Sequence, residues 1–483
     1  MIDLRPIFFV VGILLAILAV AMTVPAIVDA SLGDPDWSVF AGASAVTAFF
    51  GASLVLSTRA SGHIRITLHQ AFLLTSLSWL SISVFAALPF YFSSLEMDFV
   101  DSFFESVSGL TTTGATVINN LDSQPAGILL WRSILQWLGG IGIIVMAIAI
   151  LPMLRIGGMQ LFHMESSDRS EKVMPRATQF ASAIIYIYLF FSVTCTAAYW
   201  AAGMTFFDAV CHMMTTISTA GFSTHDASTS FFDSVAIEMV GVVFMLIGAI
   251  SFPLYIGAIQ GRWKSLWRNQ QTRGLLGFVG LATMVIAIWH WQANDADFLF
   301  ALRHSLFNVV SIVTTTGFAS TDYGLWGGFP VAAFFFLTFV GGSSGSSTGG
   351  IKIFRFQILH ALARAQLRRL IQPHGVFIPL HQGREVTENI ALSVLTFLFL
   401  YGLSFALLAT ALGAFGLDFL SAVSGAATAL GNVGPGLGDV IGPVGNFATV
   451  PDGAKFLLAI GMLLGRLEFM TLIIVFLPRF WRP

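Results

Sequence analysis

Charge is scarce in this 483-residue chain, in which Asp, Glu, Lys and Arg together make up only 10% of the residues. A soluble protein carries about 25% charged residues, so a water-exposed globular domain is excluded as the main body of the chain. Apolar residues make up 56% of the sequence, and the mean hydropathy is +0.83. The composition therefore predicts a membrane protein.

Cysteine is also scarce, because Cys195 and Cys211 are the only two in the chain. Both lie in or beside apolar segments, so neither a disulfide framework nor a cysteine-based metal site is supported. No Gly-x-Gly-x-x-Gly run follows a predicted strand, and Gly434-Pro-Gly-Leu-Gly438 falls in a predicted membrane turn. We therefore expect no organic cofactor, no nucleotide site within this chain and no nucleic-acid partner.

Long apolar segments are abundant, and ten of them are candidates for membrane-spanning helices, which need about 20 residues. These candidates are 7–29, 37–58, 68–92, 127–152, 180–202, 235–260, 274–293, 327–366 (interrupted), 389–414 and 454–478. The first is too long for a signal-peptide core and is predicted to be retained. Four shorter apolar stretches alternate with the later spans: 100–113, 206–220, 299–316 and 417–430. Each is too short to cross, so we predict re-entrant half-helices in an all-α membrane protein.

Each short stretch runs into a small-residue turn that ends on glycine. The four turns are Leu110-Thr-Thr-Thr-Gly114, Ile217-Ser-Thr-Ala-Gly221, Val313-Thr-Thr-Thr-Gly317 and Leu430-Gly-Asn-Val-Gly434. Backbone inside a membrane stays unpaired only where it lines water or coordinates something. Four such turns suit a ring of carbonyl oxygens around a dehydrated cation. The alternative is a duplicated bundle in which the glycine turns merely allow close packing.

The recurrence of the turns divides the chain into a hairpin and four repeats around one pore. The predicted units are 1–60 for the hairpin, then 61–176, 177–268, 269–372 (with a broken second helix) and 373–483. Basic residues cluster at one set of span ends, notably 155–176, 262–273 and 352–369. By the positive-inside tendency, both termini are predicted to be cytoplasmic, and the glycine turns enter from the outside.

At the turns the chain resembles the Trk/Ktr/HKT superfamily of potassium transporters, most of all the bacterial Trk-type membrane subunit. The matching residues are 111–116, 218–224, 314–318 and 431–436, and the insertion 341–350 and the Gly465-Arg-Leu-Glu468 segment also match. The resemblance implies a K⁺-translocating, multi-pass protein of the bacterial cytoplasmic membrane. It also implies a homodimer that works with a cytoplasmic nucleotide-binding ring of the RCK type.

The carbonyls before each glycine are the predicted K⁺ ligands, because glycine permits the backbone conformation that aims them at the axis. The predicted filter residues are Thr112, Thr113, Gly114, Thr219, Ala220, Gly221, Thr315, Thr316, Gly317, Asn432, Val433 and Gly434. Gly431 competes with Gly434 for the fourth position, since Asp418 precedes Gly431 by the same 13 residues that separate Asp101 from Gly114. The Asn-Val-Gly pattern favours Gly434. One glycine per turn predicts weaker discrimination against Na⁺ than the longer filter of tetrameric K⁺ channels gives.

Acidic residues occur near the outer ends of the short helices: Asp101, Glu105, Asp208 and Asp418. They could concentrate cations in an outer vestibule. The alternative is that they cap the helices and compensate the helix dipoles. Both roles can hold together.

The eighth span is interrupted by ten small residues, which the sequence predicts to form a gate below the filter. They are Gly341, Gly342, Ser343, Ser344, Gly345, Ser346, Ser347, Thr348, Gly349 and Gly350. Five glycines in ten residues disfavour a helix; the alternative is a static break. Arg466 lies midway along the tenth span, where a charge is costly. It is predicted to face the pore, paired with Glu468, loop carbonyls or both, because it lies too far from the span end to reach water by snorkelling.

Two other functions compete with a gated channel. Gly342-Ser-Ser-Gly345 matches the motif of rhomboid-like intramembrane proteases, but the sequence offers no buried histidine base nearby, so we predict no enzymatic activity. A proton- or sodium-coupled symporter would need an intramembrane carboxylate, for which Glu238 and Glu468 are candidates. Channel-like conduction is favoured over coupled transport.

Overall fold

The computed structural model describes residues 3–58, 67–149, 177–467 and 469–481. Within these ranges the strands are limited to two short pairs. Val340–Gly341 lies parallel to Ile351–Lys352, and Leu380–His381 lies antiparallel to Arg384–Glu385. Seven described helices are long and apolar enough to cross a membrane, and one bent helix pair makes an eighth. The fold is that of an all-α membrane protein, as the composition predicts.

Two helices form the N-terminal hairpin, Arg5–Leu32 and Trp37–Thr58. They cross closely at a glycine pair: a Cβ on Gly12 would lie 2.8 Å from the Gly51 carbonyl oxygen, and one on Gly51 would lie 2.9 Å from that of Gly12. The Asp29 carboxylate accepts a hydrogen bond from the Gly127 N–H at 2.6 Å. The hairpin is thereby fixed to the helix that follows the first turn.

Each repeat contains a leading helix, a short pore helix, a glycine turn and a trailing helix. The leading helices are Leu68–Ala86 (extended by Leu88–Phe92), Ala177–Ala201, Gln270–Ala293 and Glu388–Ala414; the pore helices are Phe99–Leu110, Phe206–Ile217, Phe298–Val313 and Phe419–Gly431. The trailing helices are Ala126–Ala149, Val235–Ala249 with Phe252–Gly257, Gly328–Leu337 with Ile353–Ile371, and Asp452–Arg466 with Met470–Ile473. Short helical turns occur at Leu121–Ser123, Ser228–Phe232, Ala258–Arg262, Lys264–Arg268, Tyr323–Trp326, Ile474–Phe476 and Pro478–Trp481.

Three of the trailing helices are broken, whereas the sequence predicted only one interruption. The continuous span expected at 235–260 instead bends by 93° after Ala249, because Pro253, in the first turn of the next helix, has no N–H to donate to the Ala249 carbonyl. The span expected at 454–478 ends as a helix at Arg466 and resumes at Met470. The third break lies at the small-residue loop, and hydrogen bonds described below join these breaks to one another.

Glycines in the trailing helices let them touch the ends of the pore helices. A Cβ on Gly139 would lie 1.9 Å from the Leu110 carbonyl oxygen, and one on Gly465 would lie 2.1 Å from that of Leu430. Gly248 is similarly placed, 2.9 Å from the carbonyl oxygen of Ile217. Small residues permit this backbone contact in membrane helices, and the contact sets the depth at which each turn begins.

Candidate functional site

The four pore helices begin with the same kind of cap. Asp98, Thr205, Asp297 and Asp418 each accept a hydrogen bond from a first-turn N–H, which satisfies donors that the helix leaves unpaired. Sixteen residues separate cap from turn glycine in the first, second and fourth repeats, and the third has four more. Asp418 is a cap, whereas Asp101 and Asp208 lie three residues inside their helices. The 13-residue spacing that pointed to Gly431 therefore compared acids in different positions.

The four pore helices also end in the same way. A residue with left-handed φ follows each helix or its last turn, at Thr112 (55°), Thr219 (53°), Thr315 (56°) and Asn432 (52°). The next N–H bonds to the carbonyl five residues earlier at 2.9, 2.9, 2.8 and 3.1 Å, in repeats one to four. Together with the preceding three-residue bond this is a Schellman-type helix end.

A glycine with positive φ comes two residues after each left-handed residue. These glycines are Gly114 (87°), Gly221 (78°), Gly317 (85°) and Gly434 (109°). Gly431, by contrast, is the last residue of the fourth pore helix. Gly434 is therefore the conformational equivalent of the other three glycines.

The four turns meet in a closed ring. A Cβ on Gly114 would lie 2.1 Å from the carbonyl oxygen of Ala220, and one on Gly221 would lie 1.9 Å from that of Thr316. The third and fourth contacts continue the order: Gly317 to the Val433 oxygen at 2.0 Å, and Gly434 to the Thr113 oxygen at 2.7 Å. Each turn thus packs against the next, and the fourth against the first. A side chain at any of these glycines would collide with a neighbouring carbonyl.

Threonine in the left-handed region is strained, because a β-branched side chain rarely adopts it. Neighbouring groups bond to three of the four side chains at these positions, whereas the buried Thr112 hydroxyl has no partner among the described residues. The Thr315 hydroxyl accepts from the Gly349 N–H at 2.8 Å, and the Thr219 hydroxyl lies 3.2 Å from that of Ser347. The Asn432 amide donates to the Thr113 hydroxyl at 3.0 Å and to a backbone carbonyl at 2.9 Å. The sequence pattern gave no indication of this strain.

The first trailing helix holds the second turn from behind. The Gln136 amide donates to the Ala220 carbonyl at 2.8 Å and accepts from the Phe222 N–H at 3.0 Å. One turn earlier on that helix, Arg132 donates to the Ser223 carbonyl at 2.8 Å. The sequence analysis missed both residues. A polar pair spaced four residues apart within a long apolar segment was the available signal.

The acids predicted to line a vestibule are held by partners. Glu105 is fully buried, accepts from Arg132 at 2.7 Å and also bonds to residues of the first turn. Its charge is therefore neutralised inside the protein and does not face a vestibule. Asp101 pairs with Lys455 at 2.5 Å, and the Asp208 carboxylate accepts from a threonine hydroxyl at 2.7 Å. Of the four acids, Asp418 acts as a helix cap, Asp101 and Asp208 lie in the first turn of their helices, and Glu105 has a structural ion pair.

The small-residue loop at 341–350 lies against the ring and the broken trailing helices. Its residues are buried except Gly350, which is half-buried. The Ser343 N–H donates to the Ala249 carbonyl at 2.9 Å, and the Ser347 N–H to the Gly248 carbonyl at 3.2 Å. Together with the Gly349 bond to the third turn, these contacts tie the loop to the second repeat and to the turn of its own repeat. Irregular backbone at membrane depth is here buried in protein, as physical chemistry requires.

Arg466 reaches the same loop from the fourth repeat. Its side chain is 3% exposed, and its guanidinium donates to the Ser347 carbonyl at 2.9 Å. Its Nε and second terminal nitrogen have no hydrogen-bond partner among the described residues. Glu468, the other predicted partner, lies outside the described residues. The loop-carbonyl contact is thus present, and the side chain points into the protein.

The chain is similar in sequence and in fold to proteins of one known family. A family model described as TrkH, cation transport protein, matches residues 37–289 and 296–482. The chain belongs to the TrkH family. Its fold is similar to the crystal structure of the potassium transporter TrkH from Vibrio parahaemolyticus, with a TM-score of 0.92 and 38% identity over the full length of both chains.

Curated TrkH-family relatives are similar over nearly their whole length. The chain is 46% identical to the Trk system potassium uptake protein TrkI of Halomonas elongata, covering 99% of this chain and 97% of that protein. It is 37% identical to the Trk system potassium uptake protein TrkH of Escherichia coli strain K12, covering 99% of both. These relatives are transporters and not enzymes. The serine-protease alternative at Gly342-Ser-Ser-Gly345 is therefore set aside.

Proposed function

We propose that this chain takes up K⁺ across the cytoplasmic membrane by channel-like conduction through the ring of four turns. The observation that carries the proposal is the closed cyclic packing of four conformationally equivalent turns. K⁺ is the transported ion, bound by the carbonyl oxygens of residues 112–114, 219–221, 315–317 and 432–434. The names of the relatives, which are potassium uptake proteins and a potassium transporter, support this choice of ion.

Neutral carbonyl oxygens suit this task because they replace the hydration shell of a hard cation and still let the ion leave. The Ala220 carbonyl already accepts one hydrogen bond from Gln136, and its second lone pair is the one offered to the ion. We assign vestibule attraction to exposed acids of the outer loops, such as Asp226 and Asp439, rather than to the four acids that the sequence suggested.

The gate is the loop at 341–350 together with Arg466. The guanidinium contact with the Ser347 carbonyl holds the loop against the underside of the ring. A cation at this depth also repels K⁺. Contacts with the second and third turns supply further stabilisation of a closed loop.

A proton- or sodium-coupled symporter remains the second candidate, but its best carboxylate is engaged. Glu238 is 1% exposed and pairs with Arg303 through two hydrogen bonds of 2.8 and 2.9 Å. A carboxylate held in this way is poorly suited to bind and release a coupling ion on each cycle. Uncoupled conduction therefore explains the geometry with fewer assumptions.

The proposed assembly is a homodimer with both termini in the cytoplasm, regulated by an RCK-type nucleotide-binding ring. Arg364, Arg368 and Arg369 lie on the helix Ile353–Ile371, directly after the loop. That helix offers a mechanical path from a docked regulator to the gate. The proposed units are the hairpin 1–60 and the repeats 61–176, 177–268, 269–372 and 373–483.

Rubidium flux into proteoliposomes tests the proposal. Uptake of radioactive Rb⁺ should be inhibited by external K⁺ more than by Na⁺. It should also follow the Rb⁺ gradient alone, whether or not a pH or Na⁺ gradient is imposed. Uptake against the Rb⁺ electrochemical gradient when protons or Na⁺ are supplied would instead establish the symporter. Equal inhibition by K⁺ and Na⁺ would refute a K⁺-selective ring.

A further inference from the structure

A polar pocket lies at the end of the third leading helix that the proposed topology places in the cytoplasm. It has a volume of about 740 Å³ and is lined by Arg268, Gln270, Arg273, Gly274, Gln357 and Gln382. These residues come from three parts of the chain. They are the start of the leading helix with the turn before it, the helix Ile353–Ile371, and the short β-hairpin 380–385. None of them belongs to the ring or the gate.

Among the described residues, two arginines and no acidic side chain line the pocket. Arg268 and Arg273 have no side-chain hydrogen bond or ion pair among the described residues, and no acidic residue occurs anywhere in 239–294 or 323–384. Two guanidinium groups that share one cavity repel each other unless an anion lies between them. Guanidinium forks match the oxygens of phosphate and carboxylate groups.

Two glutamine side chains give the pocket a mixed hydrogen-bonding character. The Gln357 Nε2 donates to the Gln270 carbonyl at 2.9 Å, which leaves its buried Oε1 without a partner among the described residues. The Gln382 backbone N–H bonds to the Gln270 side chain at 2.9 Å, while its buried Nε2 is also unpartnered there. A phosphodiester that carries a hydroxylated headgroup satisfies both groups, because its phosphate oxygens accept hydrogen bonds and its hydroxyl groups donate them.

Aromatic residues set the depth of the pocket. Trp263 and Trp267, on the segment just before Arg268, are 59% and 63% exposed. Tryptophan with neighbouring Lys or Arg is typical of the membrane–water interface, where phospholipid headgroups lie. The N–H groups at the start of the leading helix are capped by Asn269, so the argument does not depend on a free helix end.

We propose that this pocket binds the headgroup of an anionic phospholipid of the phosphatidylglycerol type from the cytoplasmic leaflet. Arg268 and Arg273 hold the phosphate, the Gln382 amide donates to it, and the Gln357 carbonyl accepts from a headgroup hydroxyl. The inference rests on the proposed topology, since the pocket must lie at the level of the headgroups of the cytoplasmic leaflet. It does not depend on which ion the ring conducts.

The pocket is adjacent to a contact with the gate, because Gln270 lines the pocket and Gln271 bonds to the loop. Gln270 bonds to both pocket glutamines, and the adjacent Gln271 side chain accepts from the Ser344 N–H at 2.9 Å. A lipid that orders the start of this helix therefore also orders an anchor of the loop. Bound phosphatidylglycerol is expected to change gating as well as stability.

The test measures lipid-dependent thermal stability of the full-length protein in a neutral detergent. Soluble short-chain phosphatidylglycerol, phosphatidylcholine, glycerophosphoglycerol and inorganic phosphate are titrated separately. Arg268→Gln/Arg273→Gln removes the proposed phosphate ligands, and Arg262→Gln/Lys264→Gln is the control that loses the same charge from the same segment outside the pocket. Gln382→Ala is a milder second variant, because its backbone bond to Gln270 is retained.

Phosphatidylglycerol should stabilise the wild type and the control, with an apparent affinity about tenfold weaker in the pocket double variant. Phosphatidylcholine should have no such effect. Equal stabilisation of both double variants would overturn the proposal in favour of general charge attraction. A full effect of inorganic phosphate or glycerophosphoglycerol would make it a soluble-anion site. Failure of phosphatidylglycerol to stabilise the wild type would refute the lipid site.

Rubidium flux of the same variants separates this inference from the proposed function. Flux that is absent in every lipid, with intact phosphatidylglycerol binding, would refute the conduction proposal and leave the lipid site standing. Flux that depends on phosphatidylglycerol in the wild type and control, but not in the pocket variant, would support the link to the loop. Identical lipid dependence of flux in all three would refute that link.

Discussion

The fourth turn and the first three share a backbone but differ in side chains. Threonine occupies the left-handed position three times, whereas the fourth turn has Asn432, a residue that tolerates this conformation. The closing contact from Gly434 to the first turn is also looser, at 2.7 Å against 1.9–2.1 Å elsewhere. The ring thus has three tight contacts between turns and one looser contact. Hydrogen bonds donated by the Asn432 side-chain amide stabilise the fourth turn at the looser contact.

The largest effect should come from filling the tight contacts. Gly317→Ala places a methyl group 2.0 Å from the Val433 oxygen, so we expect K⁺ over Na⁺ discrimination to fall about tenfold or more as the ring is forced apart, an overpacking cost of about 1–3 kcal/mol. The discrimination of K⁺ over Na⁺ should fall clearly less in Gly434→Ala. Competition of Na⁺ and K⁺ with Rb⁺ uptake measures both.

Gly42→Ala is the matched control, because a Cβ there meets nothing within 4 Å. Equal losses in Gly317→Ala and Gly434→Ala would mean that the four contacts are energetically alike. Unchanged discrimination in both variants, with normal folding, would contradict a filter made of these carbonyls.

Loop contacts give the second comparison, since the loop bonds directly to the second and third turns. Arg466→Ala, or removal of part of the loop, should raise unstimulated Rb⁺ flux several-fold by releasing the obstruction. The double lesion should add little, because residues that act through one element are not additive. Arg479→Ala, on the exposed C-terminal segment, is the control. Effects that multiply would indicate two separate barriers, and lost flux in Arg466→Ala would indicate a structural role.

The hydrogen bonds that the Asn432 side-chain amide donates can be removed by substitution. Asn432→Ala deprives the Thr113 hydroxyl and the Met462 carbonyl of a donor, so we expect a loss of about 1–3 kcal/mol of stability. Thermal unfolding in detergent measures this loss. Asn432→Thr, which copies the other turns, should be no better than alanine if the amide itself closes the ring. Full stability of either variant would show that backbone contacts suffice.

A smaller effect is expected at the outer loops, where His225 joins the first two repeats. Its ring lies between Asp122 and Asp208 and stacks on Phe231. Burial lowers its pKa, but the hydrogen bond to Asp122 and the nearby negative charge of Asp208 outweigh that effect and raise the pKa above its ordinary value. The stabilisation is therefore complete below about pH 6.5 and is lost as pH rises through the raised pKa.

We expect the melting temperature of the wild type to decline more between pH 6 and pH 9 than that of His225→Gln. Both proteins should behave alike at the alkaline end. Parallel curves across the whole range would show that the charge on His225 contributes nothing.

The sequence predicted the parts of the fold that repeat. Glycine turns behind short apolar stretches indicated the pore helices, and the Asn-Val-Gly pattern selected Gly434 over Gly431, whose helical position the structure shows. The small-residue loop was also recognisable, because five glycines in ten residues oppose a helix.

Long-range partners could not be predicted in the same way. Glu105 was assigned to a vestibule because no residue near it in the sequence indicates its pairing with Arg132, 27 residues away. The break after Ala249 was missed although Pro253 lies close to it, and the break after Arg466 was missed because apolar residues flank it on both sides. The contacts of both breaks with the loop could not be predicted, because they are a property of the assembled fold.

The ring of turns is encoded in one chain, with four different sequences at its four corners. In an assembly of identical subunits, one codon change alters every corner at once. Here a substitution alters a single turn and leaves three intact, so the geometry of the ring can be changed at one position at a time. Asn432 and its looser contact are an existing example of such a change, and the same freedom lets each corner acquire its own partner beneath the ring.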